Sequence, residues 1–224
     1  MQTAIIWDVD GTLLDSAEQH FRAWSALAAE IGKPFTRDDF AATFGMRNPE
    51  ILRKLFFPHA SDLQCDELGL RKETFYRDSV RAEGVTLLPG VQRLLDEFAA
   101  AGWKQAVGSS APRGNLDLLL EVTGTAKYFS AVVSGEDVRR GKPDPEVFLS
   151  AAAKLGVPPA KCVVFEDAVA GVEAAKAGGM ACVAVTFVGH HPAEKLRAAG
   201  ADLVVETLEA VTVDAVQQFL PPPP

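Results

Sequence analysis

The feature that most constrains this fold is an alternation of short apolar segments with segments of helix length. Helix-length segments occupy residues 90–101, 113–122, 144–155, 168–177 and 192–199. An alternation of this kind predicts right-handed β-α-β units, so we expect an α/β protein with a doubly wound parallel sheet. The apolar segments are rich in Val, Ile and Ala, as is typical of strands buried on both faces: residues 3–7, 104–108, 130–133, 161–165, 181–186 and 202–205.

Residues 15–85 interrupt this alternation. Apolar residues recur there at helical spacing, as in Phe21, Trp24, Leu27, Ala28 and Ile31. We interpret the block as an inserted α-helical cap domain. It has predicted helices at 17–31, 37–43, 48–56 and 62–83, with residues 1–14 and 86–220 forming the core domain. The remaining residues 221–224 are all proline, which fits neither a helix nor a sheet ladder, and are predicted to form a stiff tail.

Composition excludes several classes of partner. The 224 residues are enough for one large domain or a domain with an insert, and the net charge of −8 provides no electrostatic footprint for nucleic acid. No apolar segment approaches the ~20 residues that span a bilayer, and no basic segment followed by a long apolar one opens the sequence. The three cysteines lack metal-ligand spacing, which indicates a reducing compartment. We expect a cytoplasmic monomer without a nucleic-acid or membrane partner.

Two carboxylates stand where the first apolar segment ends, in the sequence Asp8-Val9-Asp10-Gly11. Like charges this close repel, so one of them must bind a cation or carry a proton. The carboxyl ends of strands in such sheets line the crevice where ligands bind, and a carboxylate there can attack a phosphorus atom. Gly11 relieves the backbone past the strand, which allows Asp10 to turn back towards the same crevice.

Three further strand ends or loops carry polar groups suited to a phosphate ester. Glu166 and Asp167 follow the segment 161–165 and, with the first acidic pair, predict an oxygen-rich pocket that suits Mg²⁺. Lys142 precedes a predicted helix, where its charge could offset repulsion between Asp8 and a phosphate dianion. Ser109 follows the segment 104–108, where its hydroxyl and nearby N–H groups could hold phosphoryl oxygens.

Four segments resemble, in order, the four motifs of the haloacid dehalogenase superfamily of phosphoryl-transfer enzymes. They are residues 8–16, 107–110, 141–145 and 165–180. The resemblance implies a Rossmann-like core in which Asp8 is the nucleophile and becomes an aspartyl-phosphate. It implies that Asp10 is the general acid and base, with a partly raised pKa. The catalytic residues expected from it are Asp8, Asp10, Ser109 and Lys142. Halide-removing members typically lack the second aspartate, so Asp10 favours phosphoryl transfer.

The resemblance also implies a Mg²⁺ site. Its direct ligands would be Asp8, the backbone carbonyl of Asp10, and Asp167, with Glu166 at the same centre. Mg²⁺ is therefore the expected cofactor, and a small phosphorylated metabolite is the expected partner.

Within the superfamily, residues 15–24 look most like the β-phosphoglucomutase branch. His20 matches a hinge histidine of that branch, and Lys72 matches its cap lysine. Arg47 resembles a cap-loop arginine that binds a distal phosphate, but stands one residue nearer its glycine than in the mutases. The candidate substrate-binding residues are His20, Arg47, Lys72, Ser110 and Asn115.

These features favour a Mg²⁺-dependent phosphatase of a small phosphorylated sugar or polyol. Two alternatives stay open at this point. One is a β-phosphoglucomutase that interconverts β-glucose 1-phosphate and glucose 6-phosphate. The other, of a different class, is a phosphoacceptor signalling domain. The helical block 15–85 and Asp10 count against the signalling domain, because such modules are compact and need no insert.

Overall fold

A computed structural model describes residues 2–221. The described residues form eight strands, of which six make one parallel sheet in the order β5-β4-β1-β6-β7-β8. The last three prolines of the predicted tail lie outside the described residues. The parallel, doubly wound α/β architecture is confirmed. The strands are β1 (Ala4–Trp7), β2 (Leu14–Asp15), β3 (Thr86–Leu87), β4 (Lys104–Gly108), β5 (Ala131–Val133), β6 (Cys162–Glu166), β7 (Ala181–Val185) and β8 (Leu203–Val205).

Helices fill the intervals between these strands, and their ends lie within two residues of most predicted ends. The helical block lies between β2 and β3, and its predicted helix 48–56 is in fact an α-helix followed by a π-helix, Leu52–Phe56. The short pair β2–β3 and the last helix were not predicted. The α-helices are α1 (Ala17–Glu30), α2 (Arg37–Ala41), α3 (Asn48–Ile51), α4 (Asp62–Glu83), α5 (Val91–Ala100), α6 (Arg113–Val122), α7 (Glu146–Leu155), α8 (Val169–Ala177), α9 (Ala193–Ala198) and α10 (Val213–Gln217).

The central strand β1 explains the continuous apolar pattern. Ile5 and Trp7 pack into one hydrophobic layer, whereas Ala4 and Ile6 pack into the layer on the opposite face. Successive side chains of a strand point to opposite faces, so both faces of β1 must be apolar. The indole N–H of Trp7 donates to Gln105 Oε1 at 2.9 Å, which satisfies the one polar atom that Trp7 brings into the core.

The helical block has a hydrophobic core of its own. Trp24, Leu27, Phe40, Leu52 and Phe56 belong to a buried cluster whose members all come from this block. The chain enters and leaves the block through the antiparallel pair β2–β3. We infer that this pair forms the two connections between the core and a cap, near the predicted boundaries.

Among residues 2–221, no helix combines the length and apolarity that crossing a membrane requires.

Candidate active site

The site lies at the carboxyl ends of three adjacent strands. Asp8 directly follows β1, Ser109 follows β4, and Glu166 is the last residue of β6. The backbone N–H of Asp8 donates to the carbonyl of Phe165 at 3.0 Å, which continues the ladder past the end of β1. Because β1 lies between β4 and β6, residues distant in sequence meet at one edge of the sheet.

Three buried carboxylates cluster at this edge. One oxygen each of Asp8, Glu166 and Asp167 lies within 4.8 Å of the other two. Burial raises the pKa of Asp8 to about 7, although the positive charge of Lys142 acts in the opposite direction. Burial and the charges of Glu166 and Asp8 also raise the pKa of Asp167 well above its usual value. The cluster thus holds more negative charge than its surroundings compensate.

Lys142 is the cation that faces this cluster. Its Nζ lies 2.6 Å from Asp8 Oδ1 and 2.6 Å from Glu166 Oε1. Burial alone would lower the pKa of Lys142, but the two carboxylates outweigh that effect and raise it. Glu166 Oε2 accepts the backbone N–H groups of Asp167 and Ala168, both at 2.7 Å. Since both oxygens of Glu166 already have donors, its geometry is that of a support for Lys142 rather than of a direct metal ligand.

The residues at this edge fit a hard divalent cation. Asp167 Oδ2 is buried and has no hydrogen-bond partner among the described residues. Gly11 keeps this space open, because a Cβ on Gly11 would stand 2.3 Å from that oxygen. A buried anionic oxygen without a donor is costly, and carboxylate and carbonyl oxygens are the ligands that Mg²⁺ prefers.

The side chain of Asp10 points towards the cap, where it contacts Ser16 and His20, and His20 in turn contacts Lys72. Ser16 Oγ donates to Asp10 Oδ1, and His20 Nε2 lies 3.1 Å from the same oxygen. Lys72 Nζ lies 2.8 Å from His20 Nδ1. An ammonium group can only donate, so Nδ1 accepts and Nε2 carries the proton that is donated to Asp10. Among the described residues both bonds go to Oδ1, which leaves Oδ2 of Asp10 for a substrate.

The expectation of a raised pKa for Asp10 is wrong for this closed arrangement. Burial alone raises the pKa of this carboxyl, but His20, Ser16 and Lys72 together outweigh burial and lower it. Their hydrogen bonds and charge favour the carboxylate form. The surroundings of Asp10 therefore hold it as a carboxylate in this structure.

The cap side of the site contains a second buried ion pair. Lys72 Nζ lies 2.9 Å from Glu73 Oε1, and both side chains are almost fully buried. Glu73 also accepts the side-chain N–H groups of Asn48 at 2.7 Å and Asn115 at 2.6 Å. Asn115 belongs to α6 of the core, so Glu73 links the cap to the core.

A cavity of about 90 Å³ lies between the strand ends and the cap. The cap contributes eleven residues to its lining. Besides His20, Gly45, Lys72 and Glu73, these have uncharged side chains that are mostly apolar or aromatic: Trp24, Phe40, Thr43, Phe44, Met46, Asn48 and Ile51. The predicted residues that line the cavity are Asp8, Asp10, His20, Lys72, Ser109, Ser110, Lys142, Glu166 and Asp167.

Two predicted substrate-binding residues do not line this cavity. Arg47 directs its guanidinium to Glu50, with Nε 2.8 Å from Oε1, and to the carbonyl of Arg139. It borders a neighbouring cleft on the other side of Asn48 and Glu73. Asn115 is fully buried, and its amide oxygen accepts a hydrogen bond from Arg77 at 3.1 Å while its amide nitrogen donates to Glu73.

Glu73 is the main lining residue that the sequence interpretation missed. A usable signal exists in α4, where Cys65, Leu68, Lys72, Tyr76 and Val80 repeat at helical spacing and form a buried stripe. Glu73 lies beside Lys72 on that stripe. A charged pair on the buried side of a helix marks an internal polar contact, since charges are rarely buried without a partner.

Comparison with known proteins identifies the family. Residues 2–179 match the model of the haloacid dehalogenase-like hydrolases. The chain belongs to this family. The match covers Asp8, Ser109, Lys142 and Asp167, and the six-stranded core agrees with it.

Relatives of this haloacid dehalogenase-like hydrolase are similar over nearly its whole length. A β-phosphoglucomutase of Bacillus subtilis (strain 168) is 35% identical, with 96% of this chain and 94% of the relative covered. A phosphorylated carbohydrates phosphatase of Thermotoga maritima is 33% identical, with 94% and 97% covered. The crystal structure of a β-phosphoglucomutase from Clostridium difficile superposes with a TM-score of 0.86 at 25% identity, covering 98% of this chain and 97% of that one. The chain is thus a phosphoryl-transfer enzyme of the β-phosphoglucomutase-like type.

Proposed function

We propose that the protein is a Mg²⁺-dependent phosphatase that hydrolyses a small phosphorylated sugar or polyol through an aspartyl-phosphate on Asp8. The observation that carries this proposal is the position of Asp8. Its carboxylate contacts Lys142, lies beside Asp167, and lines the same cavity as Asp10. A nucleophile, a charge-stabilising cation and a proton-transfer group thus share one small enclosed space.

Three groups of this chain would hold the metal ion: the carboxylates of Asp8 and Asp167 and the backbone carbonyl of Asp10. The unpartnered, buried Asp167 Oδ2 supports this assignment. Mg²⁺ supplies positive charge that reduces repulsion between the phosphate and Asp8 and stabilises the transition state. We assign Glu166 the role of holding Lys142 in place.

In the first half of the reaction, an oxygen of Asp8 attacks the phosphorus atom and the bond to the ester oxygen breaks. Asp10 donates a proton to that leaving oxygen, which departs as an alcohol. Lys142 and Ser109 contact the phosphoryl oxygens and stabilise their charge. Because the pKa of Asp10 is lowered in the closed structure, we infer that Asp10 gains its proton as the negatively charged phosphate binds.

In the second half, a water molecule attacks the phosphorus atom of the aspartyl-phosphate. Asp10 accepts a proton from this water, the bond to Asp8 breaks, and inorganic phosphate forms. His20 and Ser16 hold Asp10 in position for both transfers through their bonds to Oδ1. The cap excludes bulk water from this space while the first step occurs.

The size of the cavity and the names of the relatives support a small phosphorylated carbohydrate as the substrate. We propose in addition that the enzyme works as a cytoplasmic monomer without a nucleic-acid partner, as the composition predicts.

The β-phosphoglucomutase is the second candidate, favoured by the 35% identity to the Bacillus subtilis enzyme. The position of Arg47 outside the cavity disfavours it, because no arginine of the cap then faces a second phosphate. Incubation with β-glucose 1-phosphate and glucose 1,6-bisphosphate separates the two candidates. Glucose 6-phosphate as the main product would support the mutase, and inorganic phosphate would support the phosphatase.

The main test measures hydrolysis of p-nitrophenyl phosphate with Mg²⁺. We expect Asp8→Asn to lower turnover by at least about 10⁴-fold, because an amide cannot form the covalent intermediate. Asp78→Asn removes an exposed carboxylate on the outer face of α4 and serves as the matched control. Turnover that survives in Asp8→Asn, or full activity in the presence of EDTA, would contradict the proposed mechanism.

A further inference from the structure

We propose that this enzyme selects monophosphate esters with an uncharged leaving group, and that Glu73 is the residue that rejects a second phosphate. This inference rests on the proposed function, since it concerns the substrate of the same cavity. It starts from the charge of the cap side of the cavity, which differs from that of the strand ends.

The cap side carries no net charge among the described residues that line it. Lys72 and Glu73 are the two fully charged side chains that the cap contributes, and they pair at 2.9 Å. His20 is held as a neutral imidazole, because Nδ1 accepts from Lys72 while Nε2 donates to Asp10. The positive charge of Lys72 is thus already compensated before any substrate binds.

Glu73 is held as a carboxylate by three donors around it. Burial alone would raise its pKa, but the charge of Lys72 and the hydrogen bonds from Asn115 and Asn48 act in the opposite direction, and the pKa is lowered. Its Oε1 accepts from Lys72 and Asn48, and its Oε2 accepts from Asn115. These bonds come from α3, α4 and α6, so the carboxylate stays at the cavity wall.

A second phosphate group would therefore meet the Glu73 carboxylate and, among the described residues of this wall, no uncompensated cation. A dianion on the far end of the substrate needs a cation or several N–H donors to replace its hydration shell. Arg47 cannot supply this charge in the closed structure, because its guanidinium is paired with Glu50 and faces the neighbouring cleft. Burial of a second dianion next to Glu73 is consequently unfavourable.

The rest of the cap side suits an uncharged group. Phe40, Phe44, Met46 and Ile51 present apolar surface, and the hydroxyl of Thr43 donates to the backbone carbonyl of Asp39. Sugars and polyols combine C–H faces with hydroxyl groups, which fits a wall of aromatic and aliphatic side chains with few polar atoms. The first phosphate is accounted for by Lys142, Ser109 and the cation site at the strand ends.

The test uses competition, so that it does not depend on knowing the natural substrate. Hydrolysis of p-nitrophenyl phosphate is measured in excess Mg²⁺ while matched sugar esters compete for the site. One pair is fructose 1-phosphate and fructose 1,6-bisphosphate, and the other is β-glucose 1-phosphate and glucose 1,6-bisphosphate. We expect each bisphosphate to inhibit at least about tenfold more weakly than its monophosphate partner, because of the charge of Glu73.

The variant Glu73→Gln removes this charge while it keeps the shape of the side chain. We expect the ratio of the two inhibition constants to shift by about tenfold in favour of the bisphosphate, since Lys72 is then uncompensated. Glu73→Asp keeps the charge and should retain the preference of the natural chain. Glu121→Gln, at an exposed position of α6, is the matched control and should leave the ratio unchanged.

The outcomes separate this inference from the proposed function. Absence of p-nitrophenyl phosphate hydrolysis contradicts the proposed function. Equal or tighter inhibition by the bisphosphates of the unmodified protein, or an unchanged ratio in Glu73→Gln, overturns the inference alone. If Glu73→Gln does not fold, equal or tighter inhibition of the unmodified protein by the bisphosphates, or loss of the preference in Glu73→Asp, still overturns the inference. If no sugar ester competes at all, the assignment to phosphorylated carbohydrates is wrong.

Discussion

The two walls of the cavity, the strand ends and the cap side, differ in net charge. Among the described residues at the strand ends, Asp8, Glu166 and Asp167 face one ammonium group, that of Lys142. On the cap side, one ammonium group faces one carboxylate, and the pair is neutral. An excess of buried negative charge attracts a divalent cation, whereas a neutral wall contributes shape and hydrogen bonds. Charged groups are therefore concentrated on the core, and under the proposed function the cap would select and enclose the substrate.

The two buried lysines make this comparison concrete. Lys142 contacts Asp8, the proposed nucleophile, directly, whereas Lys72 is linked to Asp10 through His20. Both contact a glutamate, but Glu166 belongs to a strand end and Glu73 to a cap helix. A cation next to the reacting oxygens stabilises charge in the transition state, while a cation one residue away fixes a tautomer and an orientation.

The largest expected effect comes from the excess charge at the strand ends. We expect Asp167→Asn to lower kcat/KM by about a thousandfold, because a bound cation contributes several kcal/mol to charge stabilisation. Steady-state kinetics over a range of Mg²⁺ concentrations, with calorimetric titration of Mg²⁺, measure the loss. Asp38→Asn, at an exposed position of α2, is the control. Undiminished Mg²⁺ binding in Asp167→Asn would remove the basis for contrasting the two walls.

A smaller effect is expected at Asp10, where the two walls meet. Asp10→Asn should lower the turnover of a sugar phosphate by about a hundredfold or more, because its leaving oxygen needs a proton. On p-nitrophenyl phosphate the acidic leaving group departs without that proton, so we expect a rapid burst of p-nitrophenol followed by slow hydrolysis of the aspartyl-phosphate. Stopped-flow absorbance measures the burst. Equal losses on both substrates without a burst would show that Asp10 is not the proton donor.

The smallest effect is expected at Arg47, outside the cavity. Its ion pair with Glu50 is partly exposed, and such pairs contribute roughly 0–1 kcal/mol, so Arg47→Ala should change kcat/KM for a monophosphate by less than about fivefold. The measurement is the initial rate of phosphate release across substrate concentrations. An increase of more than tenfold in KM would mean that Arg47 contacts the substrate, as the sequence predicts. The cap would then contribute a positive charge to substrate binding.

The core of this protein was predictable because its signals are short and local. Strand ends in a parallel sheet lie at one edge, so Asp8, Ser109 and Glu166 could be brought together from their places after apolar segments. Lys142 lies in a loop, and its contact with Asp8 was expected from the family resemblance rather than from periodicity. The ends of helices and strands differ by a residue or two, since terminal turns depend on their neighbours.

The cap was less predictable for a geometric reason. Consecutive residues on a helix point about 100° apart, so the direction of Arg47, Lys72 or Glu73 depends on how α3 and α4 pack. Arg47 at the start of α3 turns to Glu50 in the same helix. Asn115, predicted to bind substrate, instead forms hydrogen bonds with Glu73 and Arg77 through its side-chain amide. The lowered pKa of Asp10 likewise depends on the tertiary structure. Ser16 and His20 contact one oxygen of Asp10, and Lys72 contacts His20.

From the sequence alone follow the α/β class, the inserted helical block, the family, and the residues that form the strand-end cluster. Hydrophobic periodicity and motif order are properties of residues along the chain, so they can be recognised without the tertiary structure. Only the tertiary structure decided that Glu166 supports Lys142, that Lys72 is neutralised by Glu73, and that Arg47 lies outside the cavity. Those facts are distances and directions between side chains far apart in the chain, and packing of the cap on the core determines them.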